Sequence, residues 1–163
     1  MDLVVSDSST LIHLARIGRL SLLKIFFETV TIPPAVWREV VEQGAGRAGA
    51  IEIRQAEWIE VTSPTDDALV HLLKRELDDG EAEAIALAIE RRADLLIIDE
   101  AHARGIAELY GLKKTGIVGL LIRAKQAGYI AALKVELDKL RMQAGFRIKQ
   151  KLYERALSVV GEQ

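Results

Sequence analysis

The segment ADLLIIDEAHAR, at residues 93–104, constrains the fold more than any other part of the sequence. Its apolar run at residues 95–98 is too short for a helix and too uniformly apolar for a strand with one face in water. Such a run is typical of a strand that is covered on both faces, as in a parallel sheet. The run ends at Asp99 and Glu100, so the strand delivers carboxylates to its C-terminal end. We therefore expect a buried parallel sheet with acidic residues at its edge.

The rest of the chain alternates short strands with helices. β-Branched or apolar runs at residues 3–6, 29–32 and 58–62 predict three more strands, and LKKTG at 112–116 is a weak candidate for a fifth. The intervening segments have helical patterns. This alternation predicts a three-layer α/β/α sandwich with a central parallel sheet of four to five strands. Residues 129–163 are predicted to form extra C-terminal helices that pack on the same domain.

Composition and charge exclude several classes of protein. The chain has 163 residues, of which 50% are hydrophobic, and it has no cysteine, so thiol nucleophiles and cysteine-ligated zinc are excluded. The net charge of −2 means that nucleic-acid binding would need a local basic patch. The N-terminal sequence MDLVVSD lacks the features of a signal peptide, and no apolar run approaches the length of a membrane span. We therefore expect a cytoplasmic protein without a membrane association.

Two predicted strands end in aspartate, and both residues are candidate ligands. Asp7 follows the first strand and Asp99 follows the fourth. One such carboxylate is usually a helix N-cap, and Asp7 could be no more than that, with Ser8 and Ser9 as alternative caps. Two of them on separate buried strands would place like charges near each other, at the edge where open parallel sheets bind ligands. A divalent cation that prefers oxygen ligands, such as Mg²⁺ or Mn²⁺, would offset that repulsion.

Two helical glutamates extend this pattern. Glu39, in AVWREVV, flanks the apolar face of its helix, and Glu81 opens an alanine-rich helix whose apolar residues follow on the same side. Glu83 points to the other side of that helix and is interpreted as a solvent residue. Both candidates have an ordinary alternative, because a glutamate at a helix start complements the helix dipole and a flanking glutamate is commonly solvated. Spacing alone does not decide between the two interpretations.

The order of these acids resembles that of the PIN domain, specifically the small VapC-like branch of prokaryotic ribonucleases. The similarity extends from VVSDSSTLIHLARIGRLSLL through VTIPPAVWREVV and LDDGEAEAIALAIERRADLLIIDEAHAR to TGIVGLLIRAKQAG. The family has an aspartate and a small hydroxyl residue after the first strand, a glutamate in an early helix, an acid at the start of an alanine-rich helix, and an aspartate after the fourth strand. The matching residues here are Asp7, Ser9, Glu39, Glu81 and Asp99.

The resemblance implies a function for these residues. Residues 1–128 would be a PIN-like nuclease domain, a metal-dependent endoribonuclease that hydrolyses phosphodiester bonds of RNA. The four carboxylates would be its catalytic residues and would hold one or two Mg²⁺ or Mn²⁺ ions. Ser9 would support them by a hydrogen bond. The resemblance also implies the toxin of a toxin–antitoxin pair, with a separately encoded antitoxin, and a homodimer.

Two departures from the family pattern motivate other hypotheses. The third acid is Glu81 where most relatives have aspartate, and Ile97 stands where many have threonine. A degraded site of this kind would suit a non-catalytic PIN-like module for protein interaction or RNA binding. A receiver-type phosphoacceptor domain also gathers carboxylates at strand ends, but this chain has only Asp7 after its first strand, and Glu39 would have no role.

The remaining polar features have two interpretations each. Glu100 is an auxiliary site candidate or a first-turn helix acid, and Arg104 either contacts substrate phosphate or forms an i,i+4 pair with Glu100. The basic stretch from Lys134 to Arg155, with seven basic and three acidic residues, either binds RNA or a partner or is a solvated helix face. The histidines share no ligand spacing and are interpreted as ordinary surface or helix residues: His13, His71 and His102.

Overall fold

The computed structural model describes residues 3–163, and at its centre lies a five-stranded sheet in which every strand pair is parallel. The strands are β1 (Val4–Ser6), β2 (Val30–Ile32), β3 (Ile59–Val61), β4 (Leu95–Ile97) and β5 (Lys114–Thr115). Their order across the sheet is β3-β2-β1-β4-β5. The weak candidate at residues 112–116 is β5, at one edge.

Helices fill the connections and the C-terminal part of the chain. They are α1 (Ser8–Arg16), α2 (Ser21–Phe27), α3 (Pro34–Trp37) with a π-helical continuation (Arg38–Glu42), α4 (Ala50–Gln55), α5 (Asp67–Leu73), α6 (Asp79–Arg91), α7 (Ala101–Leu109), α8 (Ile117–Gln126), α9 (Leu133–Met142) and α10 (Gln150–Val159). Within residues 3–163, none of them combines the length and the apolarity that crossing a membrane requires.

The core has one hydrophobic cluster on each face of the sheet. Val4 and Leu95 point into the larger cluster, which includes α1, α8, α9 and α10, whereas Val5 and Leu96 point into the smaller one, with α5, α6 and α7. Neighbouring strand residues face opposite sides, so one apolar run supplies both clusters. The predicted α/β/α sandwich is confirmed.

The C-terminal helices share the larger cluster with the strands. Leu137 on α9 and Leu157 on α10 are buried in it together with Val4. The division of the chain into residues 1–128 and 129–163 stays a prediction, and its first two residues lie outside the described range.

The strand order reverses between β1 and β4, and this reversal positions the candidate site. β2 and β3 lie on one side of β1, whereas β4 and β5 lie on the other. Open α/β sheets bind ligands in the crevice beyond the strand ends at such a reversal. Asp7 follows β1 and Asp99 follows β4, so both predicted acids come to this crevice. The order also differs from the 2-1-3-4-5 order of flavodoxin-like sheets, the class that includes receiver-type domains.

Candidate active site

Asp7 is the N-cap of α1 and lies at the reversal between β1 and β4. Its carboxylate accepts hydrogen bonds from the Thr10 N–H (3.0 Å), the Ser9 hydroxyl (3.1 Å) and the Asp99 N–H (3.2 Å). The side chain is only 2% exposed. The alternative that Ser8 or Ser9 caps this helix is therefore wrong, because Asp7 already accepts from the helix start. The same carboxylate also contacts the end of β4, which a cap does not require.

Asp99 holds the start of a second helix. Its carboxylate accepts from the Thr10 hydroxyl (2.5 Å) and from the N–H of Ile117 (2.9 Å), the first residue of α8. A side chain at Gly116 would overlap the Asp99 Oδ1 atom, so the glycine lets the carboxylate reach the helix. Thr10 thus connects the two acids, with its N–H on Asp7 and its hydroxyl on Asp99.

The closeness of these acids changes the protonation of Asp7. Burial, and next the charge of Asp99, raise the pKa of Asp7 to about 7, although hydrogen bonds from Thr10 and from the Asp99 N–H act in the opposite direction. Within residues 3–163, no basic side chain forms an ion pair with either carboxylate.

Glu39 lies in the π-helical continuation of α3 and turns toward the start of α6. Its Oε2 atom accepts from the Ser8 hydroxyl (3.1 Å), whereas Oε1 is buried without a hydrogen-bond partner among the described residues. A side chain at Gly80 would overlap Oε1, so this glycine makes room for the carboxylate. Burial first, and then the charges of Asp78 and Asp79, raise the pKa of Glu39. Single π turns frequently occur at functional sites.

Glu81 forms a capping box at the start of α6. Asp78 accepts from the Glu81 N–H (2.8 Å), and the Glu81 carboxylate accepts from the Asp78 N–H (3.3 Å). Burial, then the charge of Asp78, and further those of Glu100 and Asp7, raise the pKa of Glu81 to about 7. Glu81 is therefore within electrostatic reach of the strand-end acids, while its side chain also has the ordinary helix-start role.

A family model connects this arrangement with known proteins. The DUF3368 model, described as a PIN domain, matches residues 3–162. The chain belongs to the PIN-domain family. The PIN fold is in general a nuclease fold. No curated protein is significantly similar to the chain.

Glu83 of the PIN domain is not the solvent residue that its helical position predicts. Its carboxylate accepts from the N–H of Ala35 (3.0 Å) and lies 3.8 Å from Arg38, and the side chain is 12% exposed. The helical pattern correctly placed Glu83 on a different side of α6 from Glu81. However, α3 packs against the side that carries Glu83, and the pattern of one helix does not predict which other element covers it.

Of the two roles that the sequence leaves open for Arg104, the i,i+4 pair with Glu100 is not formed. Glu100 caps α7 by accepting from the N–H of Ala103 (2.8 Å), so its carboxylate is committed to the helix start. Arg104 instead donates to the carbonyl of Ile98 (2.8 Å), and its Nη1 atom lies over the same glycine as the Asp99 carboxylate. Within the described range no acid forms an ion pair with Arg104, whose guanidinium has further donors for a phosphate.

The PIN domain's acids fit a divalent cation by their chemistry. All four predicted ligands offer only carboxylate oxygens, which Mg²⁺ and Mn²⁺ prefer, and the buried Glu39 Oε1 atom has no donor. In residues 3–163, however, no three aspartate, glutamate or histidine side chains are arranged so that they could hold a metal ion. The structure brings Asp7 and Asp99 into contact and directs Glu39 and Glu81 to the start of α6. It does not assemble all four as ligands.

Three residues of this region were missed in the sequence. Thr10 is completely buried and bonds to both strand-end acids. Gly80 and Gly116 provide the space for Glu39 and Asp99. A hydroxyl residue three positions after a strand-end aspartate, and glycines at two helix starts, were available signals. The importance of these three residues depends on which carboxylate lies next to each of them. That carboxylate comes from a distant part of the chain, so the sequence does not reveal it.

Proposed function

We propose that this PIN domain is a metal-dependent endoribonuclease that hydrolyses phosphodiester bonds of RNA. Asp7, Glu39, Glu81 and Asp99 would hold one or two Mg²⁺ or Mn²⁺ ions. The supporting observation is that none of these four carboxylates forms an ion pair with a basic side chain within residues 3–163. Asp7 contacts the Asp99 N–H, Glu39 accepts from Ser8 beside Asp7, and the charge of Asp7 acts on Glu81. Such a group of acids is destabilising unless protons or a cation neutralise it.

The residues of the site would have different roles in the reaction. A bound Mg²⁺ or Mn²⁺ ion lowers the pKa of water and neutralises charge on the phosphate. Asp7 and Asp99 would be ligands on rigid strand ends, and Ser9 and Thr10 would keep their carboxylates oriented by the hydrogen bonds already present. Arg104, next to Asp99, would bind a phosphate oxygen of the substrate through its free donors.

Glu81 would need to change its partner to act as a ligand. Its carboxylate would release the Asp78 N–H, at a hydrogen bond of 3.3 Å, while the shorter bond from its own N–H to Asp78 would remain. The start of α6 would therefore stay capped.

The deciding experiment is RNA cleavage by the purified protein with Mg²⁺, with Mn²⁺ and with EDTA. We expect cleavage with at least one metal, none with EDTA, and loss of activity in Asp99→Asn while its circular dichroism spectrum remains native. Cleavage that resists EDTA, or an Asp99→Asn variant as active as wild type, would contradict the proposal.

A second candidate function is a non-catalytic PIN module that binds RNA or a protein. The Glu81 capping box and the lack of a three-residue metal group in the described range favour it. The same assay decides: this candidate predicts that neither metal supports cleavage, even when the RNA binds.

The biological setting we propose is that of a VapC-like cytoplasmic toxin with a separately encoded antitoxin. The family resemblance supports it. Induced expression should arrest growth with the wild type but not with Asp7→Asn, and co-expression of the separately encoded antitoxin should restore growth. Growth without arrest would contradict a toxin role.

We also propose a homodimer. Exposed apolar side chains at Leu72, Leu109 and Tyr110 border one surface hollow, and such surfaces commonly lie in interfaces. Sedimentation of wild type and Leu109→Glu tests this: we expect a dimer and a monomer, respectively, and a monomeric wild type would contradict the proposal.

A further inference from the structure

A groove with a volume of about 800 Å³ opens beside the carboxylate site. It lies between α7, β5, α8 and the segment that joins α9 to α10, residues 143–149, which we name the C-terminal connector. Asp99 and Arg104 are part of its lining, together with Arg147 and Lys149 of the connector. The groove therefore adjoins the candidate catalytic site and receives side chains from a distant part of the chain.

The charge of this groove is mainly positive. Its basic residues are Arg104, Lys114, Arg147 and Lys149, against the acids Asp99 and Glu108. Lys114 lies 3.7 Å from Glu108, which is largely exposed, whereas the other three basic residues have no ion-pair partner in the described part of the chain. A protein with an overall charge of −2 thus concentrates unpaired positive charge next to its acidic site.

The C-terminal connector is held in place from both sides. Arg16 of α1 donates to the carbonyl of Ala144 (3.1 Å), and Arg141 of α9 donates to the carbonyl of Ile148 (2.9 Å). Ile148 is buried, and its neighbours Arg147 and Lys149 are exposed. The connector thus buries Ile148 in the core and leaves the basic residue on each side of it in solvent. The backbone that carries these two charges is therefore held at the groove by Arg16 and Arg141.

The groove also offers apolar surface. Phe146 is half-buried, with its ring in edge-to-face contact with His13 at a centroid distance of 5.0 Å, and Leu152 is 43% exposed. Unpaired bases stack on exposed aromatic and apolar surface, whereas the bases of a duplex are hidden in its stack. Cationic and apolar groups together therefore suit a single strand.

We propose that this groove binds single-stranded RNA next to the carboxylate site, with Arg147 and Lys149 as ligands of its phosphates. The proposal deepens the nuclease function and rests on it for the choice of RNA. It assigns the outward face of the C-terminal connector to substrate binding.

The test is RNA binding by the full-length protein in EDTA, where no metal-dependent cleavage occurs. The probe is a fluorescein-labelled oligouridylate of about 12 nucleotides, within the range of single-strand site sizes, and the readout is fluorescence anisotropy. The test variant combines Arg147→Glu with Lys149→Glu. The matched control combines Lys151→Glu with Arg155→Glu, which makes the same charge change at exposed positions outside the groove lining.

We expect the groove variant to lose affinity by about tenfold or more, and the control by about twofold or less. The logarithm of the affinity decreases with the logarithm of the salt concentration. The magnitude of this slope should be smaller by about 0.7 for each phosphate contact that is lost. Both variants should melt like wild type, since all four side chains are exposed. Equal affinity losses in the two variants, no RNA binding by wild type, or equally tight binding of the oligouridylate–oligoadenylate duplex would each overturn the proposal.

Cleavage assays separate this proposal from the nuclease function. With Mg²⁺ or Mn²⁺, the groove variant should show a raised KM with kcat within about twofold of wild type, because its lost contacts are in binding. If wild type binds RNA through the groove but never cleaves it, the nuclease function fails and the groove stands. If wild type cleaves RNA and both variants bind it equally, the groove fails and the nuclease function stands.

Discussion

Asp7 and Glu136 are both buried carboxylates, with exposures of 2% and 3%, yet they lie in opposite surroundings. Glu136 accepts two hydrogen bonds from Arg19 (2.8 and 3.1 Å) and lies 3.6 Å from Lys139. Burial alone would raise the pKa of Glu136, but Arg19 and Lys139 bring it below its ordinary value. The nearest acid to Asp7 is Asp99, and the pKa of Asp7 rises to about 7.

The difference shows how a structural carboxylate is distinguished from a candidate ligand. Burial is the same in both places, so burial does not identify the functional residue. Glu136 receives its counter-charge from the chain itself and connects α9 with the loop after α1. Asp7 has hydrogen bonds but no counter-charge within the described residues, and a cation from outside the chain would supply it.

The largest expected contrast is in catalysis. Asp7→Asn should lower the rate of RNA cleavage by at least about 100-fold, because a metal ligand is lost. Glu136→Gln should keep the rate within about twofold, because that carboxylate binds Arg19 and Lys139 and not the residues of the carboxylate site. Initial rates with Mg²⁺ or Mn²⁺ measure both. A folded Glu136→Gln protein that is as inactive as Asp7→Asn would remove the distinction between the two regions.

The next largest effect is the stability that Glu136 derives from its partner. Arg19→Met should lower the free energy of unfolding by about 2 to 4 kcal/mol, less than for a fully buried pair because the Arg19 side chain is 33% exposed. Urea unfolding measures it. Arg19→Met combined with Glu136→Leu should recover much of the loss, since no buried charge is left unpaired. A single variant within about 0.5 kcal/mol of wild type would refute a structural role for the pair.

The Asp7 region should respond to charge removal with the opposite sign. Without metal at about pH 7.5, Asp99→Asn should raise the melting temperature, because it removes a charge that repels ionised Asp7. Metal should reverse the ranking: at about 100 times the Kd it stabilises wild type by roughly 2.7 kcal/mol. Melting of both proteins with EDTA and with Mg²⁺ or Mn²⁺ tests this. If Asn destabilises the metal-free protein and metal shifts both equally, Asp99 is a structural cap.

The raised pKa of Asp7 also predicts a pH dependence. A carboxylate with a raised pKa binds its proton more tightly in the folded state, so its stabilising contribution is fully present below the unfolded value of 3.8. That contribution is lost as the pH rises through about 7. The metal-free wild type should therefore melt higher at about pH 5 than at about pH 7.5, and Asp7→Asn should reduce this difference. An unchanged difference in Asp7→Asn would assign the pH dependence to other groups.

The smallest expected effect distinguishes Glu81 from Glu83 on α6. Glu81→Gln should reduce cleavage by about tenfold or more through loss of a charged ligand, whereas Glu83→Gln should retain the rate, since glutamine still accepts from the Ala35 N–H. Steady-state cleavage with matched metal measures both variants. A damaging Glu83→Gln together with an active Glu81→Gln would show that the third acid of the site is misassigned.

Much of the fold was readable from local patterns. The four-residue apolar run before Asp99 indicated a strand covered on both faces, and the structure has one such strand with its residues divided between two core clusters. The contact between Asp7 and Asp99 followed from the rule that parallel strands end at one edge, although their identity as ligands stays a prediction. The surroundings of Glu83 were predicted wrongly, and of the two roles considered for Arg104 the pair with Glu100 is not formed. The contacts of Glu83 depend on α3, which is distant from it in the chain. The partner of Arg104 depends on whether the Glu100 carboxylate caps its own helix, as it does here.

The sequence by itself determined the strands, the helices and the strand ends at which two aspartates lie, because periodicity, capping and turn preferences act over a few residues. Only the tertiary structure decided that Glu39 faces Gly80, that Thr10 joins the two aspartates, and that Arg147 and Lys149 border the same groove as Asp99. Each of these contacts joins segments that are distant in sequence or depends on how two helix starts pack together. Packing of whole elements sets such contacts, and no local pattern encodes which side chain stands opposite another.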